Sequence, residues 1–301
     1  MATEGVRPFR RSDRDQLAQL VNAHAQAVVP GLAMSVNAVM SQLENEPGEF
    51  VVEPWVVDRA ALVVEQRGRI TAAAYLVRYG DDESVGQALR GVGEIRWLIF
   101  WPDAPFWPDS AETGRAVAEA ALATMRRWGV HRVRVDGTLP GPGVYGLPEQ
   151  WPHVRALVER LGFVRGERHE LVLFGAVEGL RASMDRSRFR VDRTLGASGT
   201  RLTARVGDVS VGYIEVDCNI AGIGRVSGTW ADVGNLVVAE QHRRQGVGRW
   251  LIAEAAEWLY LARVERLLAY ATPDDAAMVG VLESAGFVRL TETAREWSID
   301  L

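Results

Sequence analysis

One word of sequence occurs twice, and a chain that repeats itself at domain scale builds the same supersecondary unit twice. Glu159-Arg-Leu-Gly162-Phe163-Val164-Arg165 is answered 124 residues later by Glu283-Ser-Ala-Gly286-Phe287-Val288-Arg289. A second word, Ala118-Glu119-Ala120-Ala121, returns after 135 residues as Ala253-Glu254-Ala255-Ala256. Ala-rich helices match cheaply, so the Gly-Phe word carries more weight. The unequal spacings place a length difference between the helix and the Gly-Phe corner, where the first half holds a Gly- and Pro-rich loop from Pro140 to Pro148. At 301 residues the chain has room for about two domains.

Hydrophobic periodicity supports the division. In the first half, Gly5–Arg10 reads as a short strand, and Ser12 opens a helix with Leu17, Leu20, Val21 and His24 on one stripe. A helix over Val36–Leu43 follows, then a hairpin of Ala61–Val64 and Ile70–Arg78 around Arg67-Gly68-Arg69, and a strand over Glu94–Phe100. Thr113–Trp128 is a helix stopped by Gly129, Val133–Val135 a strand, Pro152–Leu161 a helix, and Glu170–Phe174 the closing strand. The second half restarts with strands Arg201–Val206 and Ser210–Asp217 about a Gly207-Asp208 turn, then Leu236–Val238. A helix over Gly248–Leu261, a strand over Leu267–Ala271, a helix over Ala276–Ser284 and a last strand over Trp297–Ile299 complete it. This is an α+β pattern with a mixed, mainly antiparallel sheet flanked by helices in each half. The expected division is residues 1–175, a charged connection 176–188, and residues 189–301.

Composition removes whole classes of chemistry. The chain has no Lys, so a Schiff-base enzyme or an ordinary Walker A phosphate loop is not available to it. The same bias is what a GC-rich genome produces. Basic residues number 34 and acidic 39, for a net charge of −5, which provides no global field for nucleic acid or an anionic membrane. Cys218 is the single cysteine, so no intramolecular disulfide forms, and a reducing cytoplasm fits. His24, His131, His153, His169 and His242 lack the short spacings of a metal site, and no metal is expected. Met1 to Arg11 carries charges with no apolar core to follow them, and no uncharged apolar run nears the roughly 18 residues of a membrane helix, so a soluble, unprocessed, cytoplasmic protein is expected.

The segment that carries chemistry is Leu236-Val237-Val238-Ala-Glu-Gln-His-Arg243-Arg244-Gln245-Gly246-Val247-Gly248-Arg249, a strand, an Arg/Gly turn and a helix start. Free N–H groups at a helix start face outward, and the dipole adds about 0.3–1 kcal/mol toward an anion. Glycines admit a phosphate to the backbone, and Arg243, Arg244 and Arg249 supply charge-assisted donors.

Arg243-x-x-Gly246-x-Gly248 after a strand resembles the pyrophosphate-binding motif of the GNAT superfamily of acyl-CoA-dependent N-acyltransferases. Asp274-Asp275-Ala-Ala-Met-Val-Gly-Val-Leu282-Glu283-Ser-Ala-Gly286-Phe287 resembles that family's later turn, helix and Gly-Phe corner, so the likeness covers about Asp232 to Val288. The resemblance implies two tandem GNAT-like domains. It implies that Leu236, Val237 and Val238 pair through their backbone with pantetheine. It further implies that Arg243, Arg244, Gln245, Gly246, Val247, Gly248 and Arg249 hold the pyrophosphate, with Asp275 beside the pantetheine arm where the family often has Asn. Leu282 stands where many members carry a proton-donating Tyr; Leu has no proton to give, which leaves Tyr270 or water as the acid. Asp232, 14 residues before Gly246, is the candidate base, with Glu215 and Asp217 on the preceding strand as rivals.

The first half departs from the motif. Before its helix stands Pro105-Phe106-Trp107-Pro108-Asp109-Ser-Ala-Glu112-Thr-Gly114, with one glycine and two carboxylates that repel phosphate, so a degenerate copy without CoA is expected. The second half in turn lacks two early helices that commonly wall the acceptor site, which suggests an acceptor pocket shared by both halves. Trp97, Trp101, Phe106 and Trp107 form either an acceptor wall or packing, and the loop to Pro148, followed by Trp151 and His153, either a lid or a rigid connection. The function expected is an acetyl-CoA-dependent N-acetyltransferase, with acetyl-CoA as cosubstrate and a small-molecule amine as acceptor, acting as a monomer or homodimer. The alternatives are a non-catalytic acyl-CoA-binding regulator and an enzyme using another acyl-CoA.

Overall fold

The computed structural model describes residues 5–43, 55–103, 109–181, 188–218 and 230–301. The chain divides into two compact units, Met1–Arg168 with Thr293–Leu301, and His169–Glu292.

The first unit runs β1 (Val6–Pro8), α1 (Arg14–Val28), α2 (Val36–Leu43), β2 (Val56–Gln66), β3 (Arg69–Tyr79), β4 (Val92–Phe100), α3 (Ser110–Arg127), β5 (Arg132–Val135), β6 (Leu147–Pro148) and α4 (Pro152–Arg160). Its sheet has the order β1-β2-β3-β4-β5-β14, where β14 is Trp297–Asp300 at the chain's end. Arg67 and Gly68 both take positive φ (50° and 73°) in the β2–β3 turn, the geometry that tight hairpins demand. β4 and β5 are parallel, so their connection must cross over, and α3 makes that crossing. On α1 the buried residues Leu17, Leu20, Val21, His24 and Val28 recur at helical spacing.

His24 does not stand alone in that core. Its Nδ1 lies 2.9 Å from the Leu20 carbonyl and its Nε2 lies 3.3 Å from His153 Nε2, which in turn lies 3.0 Å from the Phe100 carbonyl. A ring nitrogen facing a carbonyl donates, so His24 carries a hydrogen on Nδ1 and His153 one on Nε2, and His24 Nε2 is left to accept from His153. Burial pushes the His24 pKa down to about 4 and lowers that of His153. Among the described residues no cluster of three or more metal-ligating side chains forms.

The second unit runs β7 (His169–Ala176), α5 (Val177–Leu180), β8 (Arg190–Gly196), β9 (Gly199–Val206), β10 (Val209–Asp217), β11 (Trp230–Val238), α6 (Val247–Leu261), β12 (Arg266–Ala271), α7 (Ala276–Ala285) and β13 (Val288–Ala294). Its strand order is β13-β7-β12-β11-β10-β9-β8. β11 and β12 are its parallel pair, crossed by α6. Ile214, Val216 and Val233 from the sheet, Trp250, Leu251 and Ala255 from α6, and Leu282 from α7 share one buried core.

The α+β reading holds, but the units are not cut where composition changes. β7, expected to close the first half, pairs antiparallel with β12 over six positions, Ala176 with Arg266 through Leu171 with Ala271. β14, expected in the second half, pairs with β5, Trp297 opposite Val135 through Asp300 opposite Arg132. Val177 and Leu180, at the start of the expected connection, are buried in the second unit's core, while residues 182–187 lie outside the described residues. Among the described residues no helix is long and apolar enough to cross a membrane.

Candidate active site

The second unit's sheet opens at one place. β11 matches β12 only from Trp230–Arg266 to Asp232–Leu268, after which no further β11–β12 pairing occurs. Just beyond, β11 bulges against β10: Val233 faces Val216 and Asn235 faces Glu215, leaving Gly234 as the extra residue. The bulge turns β11 away, and its backbone from Asn235 to Val238 runs on as an open edge on the β12 side among the described residues. A cleft of about 740 Å³ follows, lined by Leu236, Val237 and Val238, by the turn with Arg243, Arg244, Gly246, Val247 and Gly248, and by Asp275, Ala277, Met278 and Val281 of the α7 region.

Gly246 caps α6 with φ +79°, a left-handed conformation that costs an L side chain energy and costs glycine none. The first intrahelical bond at this end runs from the Trp250 N–H to the Gly246 carbonyl (3.0 Å), so the N–H groups of Val247, Gly248 and Arg249 have no acceptor within the helix. A Cβ on Gly248 would lie 3.1 Å from Val281 Cγ2, so this second glycine lets α6 and α7 approach.

Of the expected cofactor-binding residues, Gln245 and Arg249 are not on the cleft lining; the Gln245 amide donates to the Gln241 carbonyl at 3.0 Å. Asp275 lines the cleft, yet its carboxylate is the N-cap of α7 and accepts from the Met278 N–H at 2.9 Å. His242, Met278 and Val281 were not singled out from sequence; the apolar pair is ordinary helix patterning until α7 is placed beside the turn.

Where the strands part, Asp232 and Tyr270 meet. The Tyr270 hydroxyl donates to Asp232 Oδ1 at 2.7 Å, and both side chains are half-buried. Burial pushes the Asp232 pKa up to about 6; the Tyr270 hydrogen bond opposes this, and the Asp217 carboxylate, directly opposite in the ladder, adds to it. A carboxylate in that range exchanges protons near neutrality.

The rival Glu215 is fully buried and already committed. It accepts from Asn235 Nδ2 at 2.6 Å, from Arg201 Nε at 2.7 Å, and from the Ala197 and Ser198 N–H groups at 3.2 and 3.3 Å. The Asn235 hydrogen bond, with those of Arg201 and the two amides, holds its carboxylate below the usual range. It secures the bulge and is no base. Leu282 is 1% exposed and sits in the core.

Residues 176–287 match the model of the acetyltransferase (GNAT) family. The second unit is a GNAT domain. Over the whole chain, the fold is similar to a tandem GNAT protein from the clavulanic acid biosynthesis pathway, with a TM-score of 0.63, 15% identity and 98% of each chain covered. It is also similar to a GCN5-related N-acetyltransferase from Sphaerobacter thermophilus, with a TM-score of 0.59, 12% identity, and 98% of this chain and 95% of that one covered. No curated protein matches the chain by sequence.

The first unit of this tandem GNAT fold repeats the register of the second. β4 leaves β5 after Glu94 as β11 leaves β12 after Asp232, and Arg96 is its bulge residue as Gly234 is in β11. The carboxylate at this position is engaged differently. Glu94 is 9% exposed, accepts from the Tyr79 hydroxyl and lies 3.6 Å from Arg96 Nε. Beyond it the opening is filled. A Cβ on Gly137 would overlap the Arg96 backbone, the Trp97 indole donates to the Thr138 carbonyl at 3.2 Å, and a Cβ on Gly114 would lie 2.8 Å from the Phe100 ring. Trp97 is therefore core, packed edge-on to Tyr75, and not a wall for an acceptor; Trp101 donates to the Ile70 carbonyl at 3.4 Å, and Phe106 and Trp107 lie outside the described residues.

Proposed function

We propose that the second unit binds acetyl-CoA and transfers its acetyl group to the amine of a small molecule by direct attack on the thioester. The observation that carries this reading is the joining of three features in one unit: an open strand edge, an uncapped helix start behind glycines, and the Asp232–Tyr270 pair where the strands part. Each matches a part of the donor. The edge from Leu236 to Val238 offers its peptide groups to the two amides of pantetheine as a strand would. The α6 turn, with Arg243 and Arg244, receives the diphosphate.

The acceptor enters as an ammonium ion, since an alkylamine has a pKa near roughly 10.4, and only its neutral form attacks. Asp232, raised toward neutrality yet ionised above about pH 6, takes that proton directly or through water. The amine nitrogen then bonds to the acyl carbon, the C–S bond breaks with its electron pair leaving on sulfur, the second proton that the nitrogen sheds in becoming an amide goes to the thiolate, and the first passes from Asp232 to solvent. Tyr270, whose hydroxyl donates to Asp232, is the candidate to relay the second proton to sulfur. The expected reaction is one thiol released per amide formed, with no metal and no covalent enzyme intermediate.

Free-thiol release measured over a panel of amines tests the reading. Asp232→Asn keeps shape and hydrogen bonding while removing basicity, so turnover is expected to fall about 10²–10⁴-fold with acetyl-CoA affinity little changed. Near-native turnover of this variant from pH 6 to 9 passes the role to Asp217. Tight acetyl-CoA binding with no thiol release on any amine would instead make the chain an acyl-CoA-binding regulator.

A further inference from the structure

Arg188 stands at the same turn although it comes from the segment read as a connection. Its Nη1 lies 3.6 Å from the point a Cβ on Gly246 would occupy, and Gly246 lines the cleft. The arginine is exposed, but the next residue is not: Phe189 is 8% exposed and meets the Trp250 ring edge-on with centroids 5.0 Å apart. Trp250 is itself 1% exposed and makes the first intrahelical bond of α6. The backbone carrying Arg188 is thereby fastened to the helix whose N-terminus its guanidinium faces.

The charges at this turn are unbalanced. Several arginines of the unit have carboxylate partners: Arg181 with Glu257 at 2.8 Å, Arg201 with Glu215 and Arg205 with Asp192, both at 2.5 Å. Arg188, Arg243 and Arg244 have no carboxylate partner among the described residues. Three guanidiniums beside unsatisfied N–H groups call for an anion of more than one charge.

We infer that Arg188 is a third guanidinium of the anion-binding turn and contacts the diphosphate of the acyl donor, so that the site selects donors carrying a nucleotide diphosphate over those ending in a phosphopantetheine monophosphate. The inference rests on the acyl-CoA reading of the cleft and extends it to the class of donor. Gly246 is held as glycine by its left-handed backbone, and the Arg188 guanidinium stands beside it at contact distance.

Calorimetry on the full chain tests it, with acetyl-CoA, acetyl-3′-dephospho-CoA and acetyl-4′-phosphopantetheine as probes. Arg188→Ala is expected to weaken both CoA probes about tenfold and acetyl-phosphopantetheine by less than about twofold, with thermal unfolding unchanged and Arg188→Lys recovering part of the loss. Unchanged acetyl-CoA affinity in Arg188→Ala overturns the inference. So does equal weakening of all three probes, which makes Arg188 a support of the turn's shape, or an effect lost with the dephospho probe, which moves the contact to the 3′-phosphate. Failure of the native chain to bind acetyl-CoA at all would instead remove the reading of the cleft on which the inference stands.

Discussion

Asp232 is a candidate by its distance from Gly246 and Tyr270 by its place at a strand end, and the fold joins them by a 2.7 Å hydrogen bond. The pairing sets a pH dependence whose sign is fixed. Burial raises the Asp232 pKa, and the Tyr270 hydroxyl lowers it by stabilising the ionised form. Activity that needs the carboxylate ionised is therefore expected to rise through about pH 6. Tyr270→Phe removes the stabilising donor, so the acid limb of kcat/KM moves to higher pH; a limb that stays in place or moves down detaches the tyrosine from the base. Glu215 shows why residue type alone was insufficient. It alternates with Asp217 on β10 and has the same chemistry, yet Asn235, Arg201 and two backbone amides claim its oxygens. Those partners come from β9, β11 and the β8–β9 turn, and pairing of that kind is set by tertiary placement, which local patterning does not record.

At the scale of elements, β7 and β14 are the instructive cases. Alternation of Leu171 and Leu173 with residues on the other face marks β7 as a strand, but period two is silent about its neighbour in the sheet. The same holds for β14, a four-residue strand whose buried Trp297 lies in the first unit. This assignment has a measurable consequence. A fragment of residues 189–301 loses β7 and α5, and with them Leu171, Leu173, Val177 and Leu180 from the core. At about 1.5–3 kcal/mol for each buried side chain, the loss of these four is comparable with the whole stability of a domain. The fragment is expected to show no cooperative thermal unfolding by circular dichroism; a sharp transition would mean that β7 is dispensable to the second unit. By contrast, the turn of the β11–α6 element is legible in the sequence, although β11 begins at Trp230 rather than Leu236 and Gln245 and Arg249 stand off the cleft lining. Its glycines answer to backbone geometry, a left-handed cap at Gly246 and a helix contact at Gly248, and such constraints are local. Arg188 carries no signal in the sequence, because it sits among charged residues with little periodicity, where only the burial of Phe189 against Trp250 gives it an address.

For the whole molecule, two copies of one register have been put to different uses. In both units the parallel strands part after an acidic residue and the outgoing strand bulges, Glu94 with Arg96 in one and Asp232 with Gly234 in the other. In the first, Trp97, Phe100 and the stretch around Gly137 fill the space the strands open; in the second that space is a cleft of about 740 Å³ ending at a glycine-capped helix. On the proposed reading, with the first opening filled by core side chains, the cleft of the second unit is the expected donor site. The measurement that tests this most directly is titration calorimetry of acetyl-CoA into the full chain and into Gly246→Glu, whose carboxylate blocks the turn both by bulk and by charge. One site per chain, abolished by the substitution, is the result expected. Two equivalent sites, or unchanged affinity in Gly246→Glu, would contradict it.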